Sequence, residues 1–113
     1  MSRRSKACEF GKLTRIVIKN RDGGCIFCNM KYHMPADDRY DLQIFGIMHY
    51  IPRSAGGLGI EQNGAVGCQY HHSMLDNGKE GLRPEMLEIF RRYLKERYIG
   101  WNEKTLYYCK YPQ

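Results

Sequence analysis

Cys25 and Cys28 are separated by two residues, and Cys68 and His71 repeat that spacing about forty residues later. A C-x2-C turn brings two thiolates to one point, and the second arm adds a thiolate and an imidazole. Together they make the four nitrogen and sulfur ligands of a closed tetrahedral zinc site. The plainer alternative is three inert cysteines and a surface histidine. Cys8 and Cys109 stand apart from both arms, with Cys109 as an alternative for one of the four ligands. Five cysteines are an odd count, and the charged start Met1-Ser2-Arg3-Arg4 does not lead into the apolar stretch of a secretory leader. A cytoplasmic location is therefore expected, where metal ligation is a better use of cysteines than disulfides.

A second group lies close by in the chain. His49, His71 and His72 fall within 24 residues that also contain Asn63. If His71 serves the zinc, His72 is directed elsewhere, because successive helical side chains point about 100° apart. Asp76 follows His72 by four residues and shares its helical face, so the pair can chelate one divalent cation. A solvated surface pair has the same spacing.

These residues resemble the HNH nucleases, the His-Me finger or ββα-metal family, over residues 22–81. His49 in Met48-His49-Tyr50-Ile51-Pro52-Arg53 looks like the first motif histidine, Asn63 like the middle asparagine and His72 like the last position. In the zinc-bearing branch of that family the metal-binding histidine directly follows the last zinc ligand. Cys68-Gln69-Tyr70-His71-His72 matches this, with His71 where a cysteine is more usual. The resemblance implies a metal-dependent endonuclease that hydrolyses DNA phosphodiester bonds by nicking or double-strand cleavage. His49 would be the general base, its other nitrogen oriented by a backbone carbonyl of the 52–63 loop. Asn63 would brace that loop. His72 and Asp76 would hold Mg²⁺, Mn²⁺ or another divalent cation. Met48 departs from the pattern, since relatives often place a cation ligand before the base and a thioether is a poor ligand for Mg²⁺. A zinc-containing nucleic-acid-binding module or adaptor of the same fold, without catalysis, is the alternative. The resemblance also implies a phage or mobile-element setting, in a homodimer or a larger complex.

The elements that must position these groups are readable in outline. At 113 residues, 42% apolar and 27% charged, the chain has the size and balance of one globular domain. The expected fold class is α+β: a small zinc-stabilised ββα-metal domain with an N-terminal helix and a C-terminal amphipathic helix. Residues 1–11 read as a flexible basic arm and 12–113 as the single domain. Leu13, Ile16 and Val17 predict a short helix over 12–20, although the β-branched residues also permit a strand. Arg21-Asp22-Gly23-Gly24 reads as a turn, and residues 29–41 as a surface loop. Alternation of Gln43, Phe45, Ile47, His49 and Ile51 predicts a strand over 42–51. An ordered loop over 52–64 then leads to a short strand at 65–67 and a helix over 68–76, stopped by Asn77-Gly78. Pro84 opens a helix to about residue 99, with Leu87, Phe90, Leu94 and Tyr98 on its core face. Trp101, Tyr107, Tyr108 and Tyr111 are left to cap the core or stack on a partner.

The charge is unevenly placed. Residues 1–21 carry Arg3, Arg4, Lys6, Lys12, Arg15, Lys19 and Arg21 against Glu9 alone, which accounts for the whole net charge of +6. Such a concentration suits a polyanion, through counterion release. A solubilising terminus has the same composition. Arg3, Arg4, Lys6, Lys12, Arg15 and Lys19 are thus candidates for DNA contacts, and Arg53, beside the catalytic strand, for a phosphate clamp. On this reading, removal of residues 1–10 weakens DNA binding without touching turnover. No stretch approaches the roughly 20 apolar residues of a membrane span.

Overall fold

The computed structural model describes residues 2–109; Met1 and residues 110–113, Tyr111 among them, lie outside it. Among the described residues, five helices and a two-stranded antiparallel sheet make a small α+β fold. In chain order they are α1 (Arg3–Ala7), α2 (Lys12–Asp22), α3 (Ile26–Asn29), β1 (Phe45–His49), β2 (Gly64–Cys68), α4 (Gln69–Asn77) and α5 (Arg83–Arg97). Short 3-10 turns fill the connections.

The hairpin is the centre of the fold. β1 and β2 pair from Phe45 opposite Cys68 to His49 opposite Gly64. The period of two divides β1 between two cores. Met48 points into the main core with Phe27, Leu75, Met86, Phe90 and Leu94. Ile47 points the other way, into a smaller cluster with Phe10, Ile18 and Val66. With both faces covered, β1 shows no simple alternation of buried and exposed residues. It is also shorter than the expected 42–51: Leu42 and Gln43 belong to a 3-10 turn, Tyr40–Gln43, and Tyr50 and Ile51 leave the strand to bond Asn63 instead.

α4 begins where β2 ends. Cys68 is its N-cap, with Sγ accepting the His71 N–H, and Gly78 closes it at φ 61°, a left-handed conformation that favours glycine. α5 buries Met86, Phe90, Tyr93 and Leu94 against the hairpin and α4. Trp101 covers the edge of that core and donates its indole N–H to the Gln62 carbonyl at 2.8 Å. No helix among the described residues is long and apolar enough to cross a membrane.

Two readings of the sequence are corrected. The segment expected to be a flexible arm is folded over its described residues 2–11: α1 is capped by Ser2, Cys8 and Phe10 are buried, and the Ala7 carbonyl accepts the Gly59 N–H at 2.9 Å. Burial of those two apolar side chains, scarcely visible among the charges, holds the segment on the domain. The Arg21-Asp22 turn is in fact the last turn of α2 and a buried polar junction. The Asp22 carboxylate, with no exposed side-chain surface, pairs with Arg21 at 2.6 Å and accepts the Val66 N–H and the Tyr93 hydroxyl. Arg21 also donates to the carbonyls of Glu61 and Gly64 and to the Tyr98 hydroxyl. These contacts lock α2 to β2 and α5.

Candidate metal centre and adjoining cleft

Cys25, Cys28, Cys68 and His71 converge, with all four ligand atoms within 4.8 Å of one another. Local chain geometry explains why. Cys25 caps α3 and Cys68 caps α4, so in each arm a ligand at the cap and one three residues on lie on the same side of a helix start. Cys25 Sγ accepts the Cys28 N–H and Cys68 Sγ the His71 N–H, each at 3.4 Å. His71 Nδ1 lies 3.7, 3.4 and 3.2 Å from the sulfurs of Cys25, Cys28 and Cys68, and Cys28 and Cys68 are 3.6 Å apart at sulfur. Ligands on a tetrahedral zinc stand about 3.5–3.8 Å apart, given bond lengths near 2.0–2.3 Å.

The surroundings fit a metal as well. His71 Nε2–H donates to the Tyr32 carbonyl at 2.7 Å, which leaves the Nδ1 lone pair facing the sulfurs, as a ligating imidazole requires. Among the thiols themselves, the hydrogen bond from Cys68 pulls Cys25 down to about 3, while burial pushes Cys28 up to about 11. Cys68 is also pushed up, by its bond to Cys25 and by burial. Thiols whose pKa values differ this widely within one cluster suit a site whose protons a cation can displace. The four side chains can hold a metal such as zinc.

His72 turns away from this cluster into a cleft of about 520 Å³ on the other side of α4, which His49 also lines. His72 Nε2 is 3.1 Å from Asp76 Oδ2, one helical turn on. The pair offers two ligand atoms, on side chains that both keep exposed surface. Arg15, Arg53 and Arg83 line the same cleft, opposed by Glu9 and Asp76. Arg83 was not singled out by the sequence, where it reads as part of a helix start; its Nη1 donates to the Leu75 carbonyl at 2.6 Å, spanning from α5 to α4. Of the other basic candidates, Arg3, Lys6, Lys12 and Lys19 are exposed and do not line this cleft, and Arg4 donates to the Ser54 carbonyl.

His49 sits at the end of β1, half-buried. Its Nε2 lies 2.8 Å from the Cys8 carbonyl, and because a carbonyl only accepts, Nε2 carries a proton; in the neutral ring Nδ1 then keeps its lone pair. The orienting carbonyl therefore comes from the N-terminal segment, not from the 52–63 loop. That loop is occupied otherwise. Asn63 is fully buried; its Oδ1 accepts the Ile51 N–H at 2.7 Å, and its Nδ2 donates to the carbonyls of Ile51 and Leu58. These bonds close the loop on itself. Phe10 packs its ring 4.3 Å from the His49 imidazole. Burial, followed by the positive charge of Arg53 and the proximity of the His72 ring, holds the His49 pKa below its usual 6.5, against the opposing effect of the Cys8 carbonyl. A pKa lowered in this way favours the neutral imidazole at neutral pH. Met48 is buried on the opposite face of β1, so it offers nothing to the cleft.

Comparison with protein-family models, curated proteins and solved structures found no match to the chain.

Proposed function

We propose that the protein is a metal-dependent endonuclease of the HNH type, with zinc in the Cys25, Cys28, Cys68 and His71 cluster and DNA as substrate. The observation that carries this reading is one cleft lined by a carbonyl-oriented imidazole, a His72–Asp76 pair and three arginines. Hydrolysis of a phosphodiester by water needs a base that is unprotonated at neutral pH. His49 Nδ1 meets that need and takes the proton of the attacking water. Arg15, Arg53 and Arg83 draw the phosphate into the cleft and neutralise its oxygens, and the remaining surface basic residues add sequence-independent affinity. His72 and Asp76 would hold a divalent cation, which when bound supplies stabilisation of the developing negative charge and of the departing 3′ oxygen. The zinc cluster does no chemistry in this scheme. It fixes the start of α4, and with it the direction of His72.

Met48 favours a second reading. Its burial leaves β1 without a cation ligand, and two ligands from α4 alone hold a cation weakly; a chain that failed to bind one would be a DNA-binding module or adaptor. Supercoiled plasmid incubated with zinc-loaded protein separates the two. The enzyme converts it to nicked or linear DNA in Mg²⁺ or Mn²⁺ and not in their absence. The adaptor retains plasmid in a mobility-shift assay and leaves it supercoiled in every metal.

A further inference from the structure

The three cleft side chains best suited to handle a phosphodiester are all held by main-chain carbonyls of one short segment. The Cys8 carbonyl accepts from His49, that of Ser5 from Arg53 Nη2 at 3.3 Å, and that of Phe10 from Arg15 Nε at 3.3 Å. The contacts run back in the other direction too, since Arg4 donates to the Ser54 carbonyl and the Phe10 ring packs at a tilt against the imidazole. We propose that residues 5–10 are a positioning element of the cleft, which fixes the tautomer of His49 and the orientations of Arg15 and Arg53. The segment is thus required for turnover as well as for affinity. Its functional consequence rests on the nuclease reading; its geometry does not.

The docking of this segment has a specific weak point away from the cleft. Gly59 donates its N–H to the Ala7 carbonyl, and a Cβ placed on Gly59 would clash with the Glu9 carbonyl oxygen and lie 2.6 Å from the Phe10 nitrogen. Both are main-chain atoms, so the segment would have to move. Gly59→Ala therefore displaces the segment at Glu9 and Phe10, and with it the neighbouring Cys8 and Phe10 carbonyls, while leaving the identity of every side chain that lines the cleft unchanged. A shift of about 1 Å in a positioned group lowers turnover by roughly 10²-fold.

The test uses full-length, zinc-loaded protein labelled with ¹⁵N in histidine. Wild type should show His49 protonated at Nε2 and unprotonated at Nδ1 at neutral pH. Gly59→Ala, still folded and with zinc bound, should show a mixture of tautomers, and on plasmid kcat should fall by roughly 10²-fold, more than KM rises. If Gly59→Ala does not fold, an ester in place of the Cys8–Glu9 amide weakens the same carbonyl as an acceptor and should shift the tautomer in the same direction. A His49 protonated at Nδ1 in wild type, or a tautomer unchanged in the folded variant, overturns the positioning role. Absence of cleavage by wild type, with the tautomer and its response as expected, overturns the nuclease reading and leaves the positioning role standing.

Discussion

His71 and His72 are neighbours in the chain and serve different places. His71 is fully buried with Nδ1 among three sulfurs, whereas the His72 side chain keeps 35% of its surface exposed and pairs with Asp76 in the cleft. The rotation of about 100° per helical residue makes this division unavoidable once Cys68 caps α4. One cluster can therefore set the aim of a group in another without sharing a ligand with it.

The metal cluster should be needed for folding. It ties α3, which follows the α2 junction, to the start of α4, and in a chain this small the free energy of binding is largely free energy of folding. Elemental analysis should find one zinc per chain. Chelation should abolish the cooperative melt, and Cys68→Ser should lower metal affinity sharply. A chain that keeps its cooperative melt after complete removal of metal would show that the cluster is dispensable.

The Asp22 junction should be as important to stability as any apolar contact. Asp22→Ala leaves the half-buried Arg21 guanidinium without its carboxylate and the Val66 N–H and Tyr93 hydroxyl without an acceptor. Breaking a buried pair from one side costs about 3–5 kcal/mol. Denaturant unfolding of the zinc-loaded variant measures this, and a loss below about 1 kcal/mol would mean that the junction relaxes and rehydrates.

What the sequence made legible follows the range of the contacts. Each arm of the metal cluster is local, a cap and a residue three positions on, so both were readable from spacing. The same holds for His72 with Asp76, for the apolar stripe of α5 and for the Asn77-Gly78 stop of α4. The Cys8 carbonyl on His49 joins residues 41 positions apart and uses a main-chain atom, which no residue type announces. Cys8 and Phe10 are too few among charged neighbours to show a period. Arg21 and Asp22 were misread for a related reason: beside two glycines they have the composition of a turn, and only partners more than 40 residues away make them a core pair. Arg83 meets the cleft through packing of α5 on α4, which the sequence does not encode locally.

Cleavage should have an acid limb set by His49. Protonation of Nδ1 removes the base, and since burial, Arg53 and His72 hold the pKa below 6.5, activity should be level near neutral pH and fall only as pH drops below about 6.5. Arg53→Gln removes a positive charge that lowers the pKa, so its acid limb should move to higher pH. A limb that stays in place or moves to lower pH would mean that another group limits the reaction.

The most direct measurement is cleavage of supercoiled plasmid by zinc-loaded wild type, His49→Ala and His72→Ala, with zinc content and DNA retention measured on the same samples. Wild type should cut in Mg²⁺ or Mn²⁺. His49→Ala should bind DNA and keep its zinc while cutting about 10²–10⁴-fold more slowly, the range that a general base contributes. His72→Ala should also keep its zinc, lose activity in Mg²⁺ and regain part of it in excess Mn²⁺ through the remaining Asp76. Cleavage by His49→Ala at the wild-type rate, or none by zinc-loaded wild type that binds DNA in Mg²⁺, Mn²⁺, Ni²⁺ or Co²⁺, would contradict assignment of the cleft as a nuclease centre.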